Sequence, residues 1–402
     1  MGLDHARLSA SGAYRWMECT PSANLEAHAE EQQSIYAFEG TVAHALAERL
    51  IRAFMEYGAM LAEELYQDTY AELHDNPLFK NLNVESIHAE VMPYVDYVCD
   101  LYKDLKANYE NTTLFLERRL DFSKWVPEGF GTGDCIIISK NELYFVDLKF
   151  GKGKRVEAHE NKQLMLYALG ALQEVSDFAD IETVHMTIHQ PRIDNVSTFT
   201  MSATDLLEWA DNTLKPIAQK AFNGEGEFVP GDHCQFCKVK NCRALQEHSA
   251  EVALKAFAAV EKLPTLSLDE TADILNSIDI VEIAIKSIKD YALAQALQGK
   301  KVHGYKLVEG VSRRKITDEE KAIKDLEGAG LEKSDITKTT LLGLTDLEKA
   351  LKPKKLKLDE VLGDNIVKPS GAPTLVTEDD KRPEMSLKIS AEEAFKDVDL
   401  SE

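Results

Sequence analysis

The chain has 402 residues, 44% of them apolar, and a formal net charge of -23, which is enough material for two or three domains with a buried core and no covalent staples. No run reaches the roughly 20 uninterrupted apolar residues of a membrane helix. The opening MGLDHARLSASGAYRW has neither the apolar segment of a secretory signal nor the Ser or Thr of a myristoylation signal, so a cytoplasmic protein without membrane contact is expected. The negative balance opposes nonspecific adhesion to nucleic acid, but it leaves room for a local basic track and for carboxylates that a cation neutralises.

In chain order, LSASGAYRWMECTPSANL predicts a short helical stretch ending near Cys19 and Pro21. A first long helix is expected from Thr41 as N-cap, because Val42, Ala45, Leu46, Ile51 and Phe54 recur at helical spacing, and a second from about Val84 to Asn108. TTLFLERRLDF, GTGDCIIIS and ELYFVDLKF then read as consecutive strands, ENKQLMLYALGALQEV as a helix and VHMTIHQPRI as a further strand. That order predicts an α/β core with a central mixed sheet flanked by helices. A helix from Ala203 to Phe222, a cysteine-bearing loop, helical segments from about Leu245 to Gln298, and short helices at Asp318 to Glu327 and Leu344 to Ala350 follow.

The expected organisation is an N-terminal segment over 1–30, a core over 31–230, the cysteine loop with its following helix over 231–264, a helical or mixed C-terminal region over 265–370, and a disordered acidic tail over 371–402.

The most informative segment is GTGDCIIISKNELYFVDLKFGKG. Asp134 begins one strand, and Asp147 and Lys149 stand two apart on the next, so they share a face of the pleat. Paired strands bring two carboxylates and an ammonium to one point. Phosphodiester cleavage uses such a set: hard oxygen ligands hold Mg²⁺ or Mn²⁺, and a lysine orients or deprotonates the attacking water. A lone D-x-K is more often a solvated pair on an exposed strand, and a histidine on an apolar helix is more often a satisfied core residue. Here the elements come as an ordered set: His44 with Glu48 one turn later, Asp134, then Asp147 and Lys149, then Gln163 and Tyr167 on one face of the next helix.

The sequence G-x-x-x-H, G-x-x-D, D-x-K and Q-x-x-x-Y, preceded by L-S-A-S and C-T-P, resembles the RecB-like nucleases with the PD-(D/E)xK fold, over roughly residues 8 to 243. Within that group it is most similar to a bacteriophage and prophage family related to CRISPR-associated RecB-like exonucleases. The resemblance implies a restriction-endonuclease-like core and a metal-dependent DNA exonuclease of phage-type recombination, acting in a bacterial cytoplasm. It implies His44, Asp134 and Asp147 as metal ligands, Lys149 as catalytic lysine, and Gln163 and Tyr167 as residues contacting the DNA end. Asp147 stands where many relatives have Glu. Alternatives are an endonuclease or flap-type enzyme, or a catalytically silent DNA-binding scaffold. No G-x-x-x-x-G-K-[ST] phosphate loop occurs, so a motor would be a separate subunit.

Cys234, Cys237 and Cys242 form C-x2-C-x4-C, with Cys19 far upstream. Four such thiolates suit zinc or an iron–sulfur cluster about equally on chemistry alone. One cysteine before the core and three after it resembles the iron–sulfur RecB-like nucleases, which implies a 4Fe-4S cluster with a structural job. Cys99 and Cys135 read as small buried hydrophobes. Lys152, Lys154 and Arg155 after the catalytic strand, with Arg118 before the Asp134 strand, are expected to form a phosphate track, each lost contact flattening the salt dependence of binding by roughly one unit. By resemblance, a single-strand-binding or annealing protein is the expected partner. The C-terminal block is expected to cap the channel or to make an oligomer contact.

Overall fold

The computed structural model describes residues 6–29, 35–57, 73, 76, 78–79, 82–258, 266–306 and 308. The short helices expected at 318–327 and 344–350 and the acidic tail over 371–402 lie outside the described residues.

Helices α1 (Ala13–Glu18) and α2 (Ser22–Glu26) bracket Cys19. Trp16 anchors this segment: its ring is buried and its Nε1 donates to the Ser9 carbonyl at 2.9 Å. Leu8, Ala13 and Trp16 share one core with Leu120, Phe145 and Leu166, so the N-terminal segment is built into the α/β core itself.

Helix α3 (Ile35–Tyr57) begins six residues before the expected cap. Thr41 lies inside it, and its Oγ1 donates back to the Ala37 carbonyl at 3.2 Å instead of capping. The helix extends upstream because Phe38 is buried and Gly40 sits where nothing crowds it. Helix α4 (Val84–Asn108) has its expected bounds, with the Asn83 side chain accepting from the Ser86 N–H at 3.0 Å.

The sheet has five strands in the order β1 (Thr113–Asp121), β2 (Phe130–Ser139), β3 (Glu142–Leu148), β4 (Thr183–Gln190) and β5 (Asn195–Ser202). Only β3 and β4 run parallel, a pairing that needs a crossover, and α5 (Lys162–Val175) supplies it. Period-two alternation sorts the side chains into two layers. Ile137 and Val146 meet Leu46, Val91 and Val95 of the α3–α4 pair, while Ile136 and Phe145 meet Leu166 and Leu169 of α5. The chain is therefore α/β, a mixed sheet between helical layers.

Strand β5 is an addition to the expected sheet. It follows Asp194, whose φ of 50° turns the chain, and it lies on the edge with Val196 exposed, so NVSTFTMS carries little apolar signal. The single helix expected from Ala203 to Phe222 is α6 (Ala203–Trp209) and α7 (Lys215–Asn223) with a π-helical turn over Ala210–Leu214 between them. That turn presents Asp211 Oδ1 to the Trp125 indole N–H at 2.9 Å. A 3₁₀ turn (Asp232–Phe236) then leads to α8 (Arg243–Ala258) and α9 (Leu268–Leu297), the latter opened by a Ser267–Glu270 capping box. Among the described residues no helix is long and apolar enough to cross a membrane.

Candidate active site and cysteine pocket

Strand register builds the first site. Leu116 faces Cys135 and Arg118 faces Gly133, which sets Glu117 level with Asp134; Cys135 faces Val146, and one step further sets Asp134 level with Asp147. Glu117 has a φ of 46°. This left-handed residue reverses the strand's alternation, so Leu116 packs under the α3–α4 pair whereas Leu120 packs under α5 despite the even spacing. The kink aims the Glu117 carboxylate at His44, whose Nδ1 lies 3.7 Å from Glu117 Oε1 and 3.4 Å from Asp134 Oδ1.

His44, Glu117 and Asp134 are, among the described residues, the one group of three metal-type ligands with donor atoms within 4.8 Å of one another. Burial opposes charge on His44, but the Asp134 carboxylate, with Glu117 behind it, holds its pKa well above the ordinary value. Burial works on Asp134 in the other direction, and His44 and Lys149 overcome it, so its carboxyl is held below the usual range. Asp134 Oδ2 also accepts from the Leu148 N–H at 2.7 Å, which locks the carboxylate between β2 and the end of β3.

Asp147 belongs to an adjacent group. Its Oδ2 lies 2.9 Å from Lys149 Nζ, which in turn donates to Gln163 Oε1 at 2.8 Å. The Asp147 side chain is 2% exposed, and burial raises its pKa against the opposing pull of Lys149. Asn161 fixes the start of α5 by accepting from the Gln163 and Leu164 N–H groups at 3.1 and 3.3 Å, so the cap holds Gln163 where Lys149 can reach it. One turn on, Tyr167 stacks on Phe145 with ring centroids 5.3 Å apart. A Cβ at Gly131 would come within 2.6 Å of the Tyr167 ring. The glycine of G-x-x-D thus makes room for the tyrosine of Q-x-x-x-Y, and two motifs far apart in sequence are one packing unit.

The sequence motifs converge, with a changed partition. His44 and Asp134 group with Glu117 rather than with Asp147, and Asp147 pairs with Lys149 and Gln163. In sequence Glu117 stands beside Arg118 and Arg119 and carries no ligand motif of its own. No residue type marks a left-handed strand position, and only the row of level carboxylates gives it meaning. Glu48 lies beside the cleft but is engaged by Arg52 at 2.7 Å.

The expected basic track is largely tied to carboxylates. Arg118 lies on the α5 side against Glu174, Arg155 pairs with Glu157 at 2.7 Å, and Lys152 pairs with Glu90 at 3.0 Å. Lys154 is exposed. Glu90 and Glu39 also hold Arg192, at 2.8 and 2.7 Å, so the turn between β4 and β5 is clamped onto α3 and α4.

The second site lies apart from these residues. Cys19, Cys234, Cys237 and Cys242 all line one small pocket with a cavity volume of about 30 Å³, whose other walls include Leu25, Phe228, Val229 and Pro230. All six cysteines are free thiols, and Cys99 and Cys135 are buried in the core beneath α3 and α4, as expected. Polar ties close the pocket. Arg15 pairs with Glu26 at 3.0 Å, Glu26 Oε1 accepts from the Lys238 N–H at 2.8 Å, and Thr20 Oγ1 donates to the Glu225 carbonyl at 2.5 Å. Burial raises the Cys19 and Cys234 thiols and pushes Cys237 up to about 12.

A solved structure described as "Crystal structure of SSO0001" is similar to this chain at 17% identity, over 58% of this chain and 96% of that one, with a TM-score of 0.22, too low to bear on the fold. Residues 5–383 match the family model DUF2800, described as a protein of unknown function, and the chain belongs to that family.

Proposed function

We propose that this chain is a metal-dependent DNA nuclease that hydrolyses phosphodiester bonds from DNA ends. The observation that carries the reading is the convergence of His44, Glu117 and Asp134 beside the buried Asp147 with its Lys149 and Gln163 partners, across β1, β2 and the end of β3. Two carboxylates supply hard oxygen donors that suit Mg²⁺ or Mn²⁺, and one imidazole adds a borderline nitrogen that Mn²⁺ accepts more readily. Bound there, the cation supplies Lewis acidity and a more acidic water. The chain's own contribution is positional and electrostatic. Lys149 reaches past Asp147 with an ammonium that orients the attacking water and meets charge growing on the phosphate oxygens. Gln163 holds that ammonium at Nζ, and Tyr167, at the base of the same helix face, borders the place where a DNA end would lie. The Asp134–Leu148 hydrogen bond keeps the carboxylate from swinging away between turnovers.

The cysteine pocket is proposed to hold a 4Fe-4S cluster on Cys19, Cys234, Cys237 and Cys242. The gathering of all four cysteines on one pocket supports a bound metal group there, and the resemblance of the cysteine pattern to the iron–sulfur RecB-like nucleases favours the cluster over one zinc ion. Its role is to join the N-terminal segment to the loop before α8.

The test is digestion of linear and covalently closed DNA, single- and double-stranded, by anaerobically purified protein with Mn²⁺, Mg²⁺ or EDTA. End-dependent degradation of the linear forms with metal, and none with EDTA, is expected. Cleavage of the closed forms would make the enzyme an endonuclease, and no cleavage of any form would remove the nuclease reading.

A further inference from the structure

Between the cysteine loop and the end of α9 runs a second, wider groove of about 900 Å³, which meets the cysteine pocket at Cys237. Its lining carries Lys238, Lys240 and Lys300 against one carboxylate, Asp290. The whole chain has 46 lysines and arginines against 69 aspartates and glutamates, so this groove reverses the sign of the molecule. A local reversal of that kind concentrates field on an anionic ligand. Lys300 Nζ is held by the neutral Gln295 Oε1 at 2.6 Å, which places the ammonium without neutralising it. Two aromatic side chains share the lining: Phe236, 54% exposed on the cysteine loop, and Tyr291 on α9.

Lysines along a groove with accessible rings fit a single strand of nucleic acid, whose phosphates take the ammonium groups and whose unstacked bases lie on the rings. A duplex offers no free base face, and an acidic peptide offers nothing for Phe236 to stack on. We propose that this groove is a binding site for single-stranded DNA, separate from the cleavage cleft, holding the strand beside the cysteine pocket. The inference rests on the nuclease reading for its substrate, but its readout is binding and not cleavage.

The experiment measures the anisotropy of a fluorescein-labelled oligothymidylate with the full-length holoprotein in EDTA, across a salt series. Wild type is expected to bind with a steep salt dependence. Lys240→Glu/Lys300→Glu should flatten the slope of log K against log salt by about 1.4 units, at about 0.7 per lost phosphate contact. Phe236→Ala should weaken binding about fivefold or more at every salt concentration. Visible absorption of the cluster and circular dichroism report whether the variants fold, and Lys300→Glu, on the helix side, gives a half-sized slope change without touching the cysteine loop. An unchanged slope in both lysine variants, or displacement by polyglutamate but not by unlabelled oligothymidylate, would overturn the groove assignment and leave end-dependent cleavage standing. Groove-dependent binding without any cleavage would keep this assignment while removing the nuclease.

Discussion

The candidate cleft at His44, Asp134 and Asp147 and the cysteine pocket are both small clusters of ligand-type side chains, but they are held together by opposite means. In the cleft each charged group already has a protein partner: His44 on Asp134, Lys149 on Asp147, Gln163 on Lys149, and the Leu148 N–H on Asp134. Register and two buried helical layers impose that geometry. In the pocket, four thiols from distant parts of the chain share apolar walls, and burial raises the pKa of three of them. The cleft is pre-organised by the fold, whereas the pocket, on the proposed reading, is a place where a bound group would organise the fold.

The sharpest way to break this comparison is to remove one ligand from each. Cys237→Ser should cost the visible absorption of the cluster and, with it, stability on the order of several kcal/mol, because metal-site free energy is folding free energy. Asp134→Asn should abolish cleavage, on the order of 10²-fold or more, while leaving the unfolding midpoint within a few degrees of wild type. Thermal melts followed by circular dichroism, beside nuclease assays, separate the two cases. Equal stability loss in both variants would mean that the cleft also depends on a bound group for its structure.

A smaller effect is expected at Glu117. Glu117→Gln keeps the kinked strand and the size of the side chain but removes one anionic donor, so the Mn²⁺ concentration for half-maximal activity should rise by about tenfold to a hundredfold. An unchanged metal requirement would place Glu117 outside the cation's ligands.

The last effect concerns stability near the cleft and not activity. His189 is buried against Tyr94 and Tyr97, with ring centroids 5.7 and 5.2 Å away. Burial lowers its pKa from 6.5 to about 4, with Asp194 opposing weakly. The folded protein therefore resists a proton that the unfolded chain accepts. Stability contributed by keeping His189 neutral is intact above about pH 6.5 and falls as pH drops toward about 4, by up to roughly 3 kcal/mol. His189→Gln should flatten this acid limb of the urea midpoint against pH, and an unaltered slope would show that other groups carry it.

Much of the fold and of the candidate site is readable in the amino-acid pattern, for physical reasons that also mark where reading fails. Helix α4 is bounded by Asn83 and by a long apolar stripe, and it falls where expected. The strands around D-x-K read clearly because Ile136, Ile137, Ile138, Phe145 and Val146 are buried on both faces. Strand β5 is missed because an edge strand buries too little to need apolar residues. The start of α3 is misplaced because Thr41 makes its hydrogen bond within the helix and so resembles a cap only in sequence. Glu117 is invisible because its role comes from a backbone reversal and a cross-strand level, neither of which leaves a residue-type signature. Clustering of the three loop cysteines is legible from spacing, while Cys19, expected beside them from the family resemblance, is brought there by tertiary structure.

The central claim is that Lys149, held between Asp147 and Gln163, serves phosphodiester hydrolysis. The most direct measurement is the degradation of 5′- and 3′-end-labelled linear DNA with Mn²⁺ by wild type and by Lys149→Ala of matched cluster content and melting temperature. The account predicts end-dependent digestion by wild type and a loss of about 10²-fold to 10³-fold or more in the variant. Equal digestion by both proteins would contradict it.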